Sequence, residues 1–183
     1  YIPYCTGDLH WGDADVEYQP GLLIRHRGGE NARVAVQWMV ENFPAPETVL
    51  VTGCSAGAYA SVFWASKVAL AYEGAGSNAT RIVQFGDSGS GVVTQEFLRE
   101  AFVNWNSAKN FPWEIFPAEL QGGRTNDILT NFSLVYFSLY GASRFPQHTY
   151  SQFNAMFDNN QAFFWLNMVF SHRIAPGDPS TES

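Results

Sequence analysis

Thr48-Val49-Leu50-Val51-Thr52-Gly53-Cys54-Ser55-Ala56-Gly57-Ala58-Tyr59 is the stretch on which the fold turns. Val49, Leu50 and Val51 form a continuous apolar run flanked by β-branched threonines, which predicts a strand buried on both faces of a parallel sheet. Beyond Gly57, the residues Tyr59, Val62, Phe63, Ser66, Ala69 and Leu70 recur at three- and four-residue spacing, which predicts a helix. The Gly-x-Ser-x-Gly between them must turn the chain from strand to helix within a few residues, and Gly53 and Gly57 give the backbone the room to do so. Such a turn is a nucleophile elbow: it holds a serine hydroxyl out of the sheet at a helix N-terminus, where the next backbone N–H can receive an oxyanion. Ser55 is the candidate nucleophile and the Ala56 N–H a candidate oxyanion donor.

Upstream, Leu22 to His26 reads as a short strand. Ala32, Ala35, Val36, Met39, Val40 and Phe43 then fall on one helical face, with Asn31 as N-cap and Pro44 and Pro46 ending the helix. Strand, helix, strand, elbow and helix thus follow in order, the signature of an α/β layer. Downstream, Gly74 and Gly76 mark a loop, and Arg81 to Phe85 reads as another buried strand. It runs into Gly86-Asp87-Ser88-Gly89-Ser90-Gly91 at the sheet edge, where α/β proteins place functional groups. Gln95 to Trp105 reads as a helix, Asn106 to Asp127 as an irregular lid or cleft wall, Phe132 to Tyr140 as a strand, Asn160 to Met168 as a helix, and the end as a polar tail.

At 183 residues the chain is long enough for one domain with a full core. A formal charge of −7 argues against nucleic acid or an anionic membrane as the main partner. No window approaches the ~18 apolar residues of a membrane span; the run from Phe163 to Phe170 is interrupted by Asn167. The aromatic content of 16% serves a core before it serves a ligand cleft. Cys5 and Cys54 read as free thiols, since a bridge to the elbow would be awkward. Asn78-Ala79-Thr80 and Asn131-Phe132-Ser133 are glycosylation sequons, relevant only to a secreted eukaryotic protein.

Three polar clusters each admit a functional and a structural role. Asp8 and His10 sit in a polar-aromatic loop, and read more simply as a turn with internal hydrogen bonds than as a site. Asp13, Asp15 and Glu17 lack the glycine and distal glutamate of a calcium loop and read as a solvated acidic turn. Arg25-His26-Arg27-Gly28-Gly29 is a basic loop that either receives an anionic ligand or pairs with the protein's own acids.

Taken together, Ile2-Pro3-Tyr4-Cys5-Thr6-Gly7-Asp8 with His10 and Gly12, the loop from His26 to Asn31, Gly53-Cys54-Ser55-Ala56-Gly57, Asp87-Ser88-Gly89, and Phe157-Asp158 with Gln161 resemble the pectin acetylesterase and Notum family of serine carboxylesterases. The resemblance implies an α/β-hydrolase-like fold, a mostly parallel sheet with helices on both faces. It also implies secretion and hydrolysis of an ester, with an acetyl group on a polysaccharide such as pectin as the leading substrate. Ser55 would be nucleophile and Asp158 the triad acid, with no metal or cofactor. His172, the one histidine after Asp158, preserves the Ser, Asp, His order, and Asp87 is the alternative acid. Relatives carry a glycine-rich oxyanion loop before the Pro-Tyr-Cys segment and a histidine after a late turn like Ala175-Pro176-Gly177-Asp178, so the sequence reads as a piece of a longer polypeptide. The competing expectation is a catalytically inactive member that binds glycans or lipids.

Overall fold

The structure, a computed structural model, describes residues 1–89, 91–120 and 132–171. Its frame is a three-stranded sheet of β3 (Thr48–Cys54), β4 (Arg81–Asp87) and β5 (Thr149–Phe153), in the order β3-β4-β5 and parallel throughout. The register pairs Cys54 with Asp87 and Asp87 with Phe153, so all three strands end at one edge.

Helix α2 (Ala56–Gly74) leaves β3 directly and is buried round most of its circumference, as a core helix is. It lies on the sheet face that carries Ile82 and Gln84, both buried. Gln84 spans the two layers: its Nε2 donates to Ser61 Oγ at 2.8 Å and its Oε1 accepts from Ser151 N at 3.0 Å. On the opposite face, Leu50, Phe85 and Phe153 are 61%, 40% and 58% exposed. Among the described residues, α2 therefore covers one side of a sheet type that is normally covered on both.

Leu22 to His26 does form a strand, β2, but it pairs antiparallel with β1 (Ala14–Gln19) in a hairpin separate from the parallel sheet. The acidic stretch is thus largely strand rather than solvated turn. Glu17 accepts from Gly21 N at 2.8 Å across the hairpin turn, while Asp13 and Asp15 bind Arg27 at 2.8 and 2.9 Å. Lys109 also binds Asp13. The basic loop is accordingly paired with the protein's own acids.

Helix α1 (Gly28–Asn42) starts three residues before the expected Asn31 cap. The buried Asp8 carboxylate takes the place of a capping side chain, accepting from Gly28 N at 2.7 Å. Asp8 also receives Thr6 Oγ1, His10 N and Gly12 N at 2.6, 3.1 and 3.1 Å, in keeping with the simpler reading of that loop. A Cβ at Gly28 would come within 2.6 Å of Thr6 Oγ1 and 2.8 Å of His10 Cα, so close packing is what this glycine provides.

Phe132 to Tyr140 is not a strand; α4 (Val135–Arg144) occupies most of it. Phe, Leu and Tyr alternate there, but the buried positions Leu134, Phe137 and Gly141 follow helical spacing, and packing decided between the two periods. The described part of the expected lid, Asn106 to Leu120, consists of short 3-10 turns whose Phe111, Ile115 and Phe116 are buried. They join an aromatic core centred on Trp11, which stacks on Phe63 of α2 at 5.2 Å and on Phe102 of α3 (Gln95–Asn104) at 5.8 Å. The last described helix, α5 (Asn159–Ser171), follows β5. No described helix is long and apolar enough to cross a membrane.

Candidate active site

Ser55 sits between β3 and α2 with φ 54° and ψ −117°, a backbone conformation that non-glycine residues rarely adopt. The turn is held on both sides. Ser55 N donates to Asp87 O at 2.8 Å, and Ser55 O accepts from Ala58 N at 2.8 Å as the first bond of α2. The Ser55 side chain makes no cap hydrogen bond to its own helix, and the residue is exposed. Its hydroxyl is therefore presented at the positive end of a 19-residue helix, beside the Ala56 N–H at the first helical position.

The two glycines of the motif have different duties. A Cβ on Gly53 would lie 2.7 Å from Gly57 Cα and closer still to the Gly57 carbonyl, so strand and helix can meet only because Gly53 has no side chain. A Cβ on Gly57 would meet nothing within 4 Å. Gly89 supplies a second close approach: its missing Cβ would press on Ala58 Cβ and lie 3.1 Å from Ser55 O. This fixes the turn after β4 against the elbow. Ser88, with φ 60°, donates its N–H to Phe153 O at 2.7 Å, stitching that turn to the end of β5.

Asp158 follows β5 by five residues and caps α5. Its Oδ1 accepts from Asn160 N at 3.0 Å and Gln161 N at 2.9 Å, and its Oδ2 from Gln161 Nε2 at 2.9 Å. The Gln161 backbone N–H, foremost among these, holds the Asp158 carboxyl below the usual carboxylate range. Burial pushes the Tyr59 phenol up, and the Asp158 charge adds to that, so the Asp158 carboxylate lies within electrostatic reach of the Tyr59 side chain. Asp87 belongs to the same edge. Its carboxylate accepts from Ser88 Oγ at 2.8 Å, and the strand register places its side chain on the sheet face shared with Cys54, away from α2.

No histidine among the described residues joins this group. His26 is committed at both ring nitrogens: Nδ1 faces the Thr6 carbonyl at 2.9 Å and must donate, leaving Nε2 to accept from Tyr18 Oη at 2.8 Å. His148 accepts from Ile82 N at 3.3 Å at the amino end of the sheet, roughly 20 Å along the strands from Ser55. The His10 carbonyl accepts from Trp64 Nε1 at 2.8 Å, about 13 Å along α2 from the elbow. His172 lies outside the described residues. Also among the described residues, no group of three or more His, Cys, Asp or Glu is placed to hold a metal ion, and Cys5 and Cys54 are free and exposed.

A parallel sheet with a strained serine between a strand end and a core helix defines an α/β-hydrolase-like protein. The structure of the Wnt deacylase Notum from Drosophila shares this fold, with a TM-score of 0.55 at 18% identity over 97% of this chain and 48% of that one. The chain thus spans about half the length of that structure. It belongs to the pectinacetylesterase family, whose model matches residues 1–111, from the Asp8 loop through the elbow to the Asp87-Ser88-Gly89 turn and α3. No curated protein matches the chain.

Proposed function

We propose that this chain carries the nucleophile and acid of a serine carboxylesterase, acting on acyl esters of a polysaccharide such as pectin, acetyl above all, outside the cell. The observation that supports this most is the Ser55 backbone, strained at φ 54° with its side chain left out of helix capping. Strain of this kind is retained where it serves a site.

In the proposed reaction Ser55 Oγ attacks the ester carbonyl while a histidine takes its proton, for which His172 is this chain's candidate by its order after Asp158, and the Ala56 N–H receives the developing oxyanion. The imidazolium returns that proton to the departing sugar oxygen as the C–O bond breaks, leaving an acyl-enzyme on Ser55. Water, deprotonated by the same histidine, releases the carboxylic acid. Asp158 orients the imidazole and stabilises its charge. It is favoured over Asp87 because the family resemblance at Phe157-Asp158 points to it and because its charge reaches the Tyr59 phenol, four residues beyond Ser55.

The test is hydrolysis of p-nitrophenyl acetate by the purified protein and by Ser55→Ala, Asp158→Asn and His172→Ala. Ser55→Ala and Asp158→Asn should each lose about 10³-fold or more in kcat/KM, and an equal loss in His172→Ala would identify it as the base; p-nitrophenyl esters of longer acids should be turned over more slowly than acetate. Absence of turnover in the unaltered protein, combined with binding of a pectin oligosaccharide, would replace the esterase by a glycan-binding member of the same fold.

A further inference from the structure

Gln161 is bound to the Asp158 carboxylate through its backbone N–H and its side chain at once. The Gln161 Nε2 also lies 3.3 Å from Asn154 Oδ1. An ionised carboxylate only accepts hydrogen bonds, so the Gln161 atom facing Asp158 Oδ2 has to be the nitrogen, and Asn154 must then offer its oxygen to the second N–H. The chain Asn154, Gln161, Asp158 has one polarity.

Each carboxylate oxygen accepts about two hydrogen bonds. Oδ1 already receives two backbone N–H groups at the start of α5, whereas Oδ2 receives only the Gln161 amide among the described residues. Among the described residues, one position on Oδ2 is thus left for a donor from outside the loop. We propose that Gln161 is a positioning residue of the esterase: it fixes the rotation of the Asp158 carboxylate so that Oδ2 presents its open lone pair to the catalytic base. Asn154 supports it by orienting the amide. This rests on the reading of Asp158 as the triad acid.

The assignment is tested with Gln161→Leu, Gln161→Glu and Asn154→Ala, beside Ser55→Ala, by steady-state hydrolysis of p-nitrophenyl acetate across pH. Gln161→Leu should lower kcat about ten-fold, the typical worth of a hydrogen bond to a charged group, with KM within about two-fold. Asn154→Ala should lower kcat less. Gln161→Glu places a second negative charge beside the base and should move the acid limb of kcat/KM to higher pH, which a merely structural role would not do. If Gln161→Leu fails to fold by circular dichroism, the Gln161→Glu pH limb and the Asn154→Ala rate decide. Wild-type kcat and an unshifted limb in these variants, with Ser55→Ala inactive, would overturn the role of Gln161 and leave the esterase standing. Turnover by Ser55→Ala would overturn both.

Discussion

Replacing Gly53 by alanine probes the elbow where the chain has least room. The added Cβ would stand 2.7 Å from Gly57 Cα and nearer still to the Gly57 carbonyl, and these are backbone atoms that no rotamer change can move. Either β3 or the first turn of α2 has to give way. Overpacking of this kind costs about 1–3 kcal/mol, and the backbone contact puts Gly53→Ala near the upper end. At that end the melting temperature should fall by about 6–12 °C for a domain of this size. A displacement of Ser55 by about 1 Å should cost roughly 10²-fold in rate. Both are read on one preparation, by thermal unfolding followed by circular dichroism and by the rate at which a fluorophosphonate modifies Ser55. Gly57→Ala is the internal control. Its Cβ meets nothing within 4 Å, and alanine in a helix gains up to ~1 kcal/mol over glycine, so it should melt at or slightly above the unaltered protein. Wild-type labelling and melting in Gly53→Ala, or a larger loss in Gly57→Ala, would refute the close-approach argument.

Asp8→Asn should unfold at lower urea by about 3 kcal/mol, because an amide NH₂ would face donors, such as Gly28 N and Gly12 N, that now share one carboxylate oxygen; an unchanged midpoint would contradict the scaffold role of Asp8. Stability should also decline from pH 7 toward pH 5. Burial holds His10 and His148 below the ordinary histidine pKa of about 6.5, so the unfolded chain takes up protons that the folded one resists. That stabilisation is present above about pH 6.5 and is lost as the pH falls through the lowered folded values, which a urea midpoint measured against pH will show; a flat or rising midpoint would contradict it. Since the hydrogen bonds from Gln161 keep Asp158 ionised well into acid, the acid limb of kcat/KM should belong to the base and not to this carboxylate. A limb centred near pH 4 would show otherwise.

The elbow was legible in the sequence because everything it needs is local: an apolar run, a glycine at the point of contact, and a helical face starting at once. The Phe132 to Tyr140 stretch was not, since its alternation of Phe, Leu and Tyr satisfies two periods, and only the buried set Leu134, Phe137 and Gly141 shows which one the core selected. The start of α1 was hidden for another reason. Its capping carboxylate, Asp8, comes from 20 residues away, beyond the reach of any rule about adjacent residues. The clamp on Asp158 lay in between. Asp158-Asn159-Asn160-Gln161 has the spacing of a capping box, a signal for helix entry that was available in the sequence. What spacing did not reveal is that Gln161 turns back to the carboxylate itself.

The most direct test of the nucleophile is to treat the native protein with a fluorophosphonate and map the modified residue by peptide mass spectrometry. A single adduct on Ser55, formed much more slowly in Asp158→Asn, is the predicted result. No adduct, or one on another serine with Ser55 untouched, would contradict the assignment of Ser55 as an activated nucleophile.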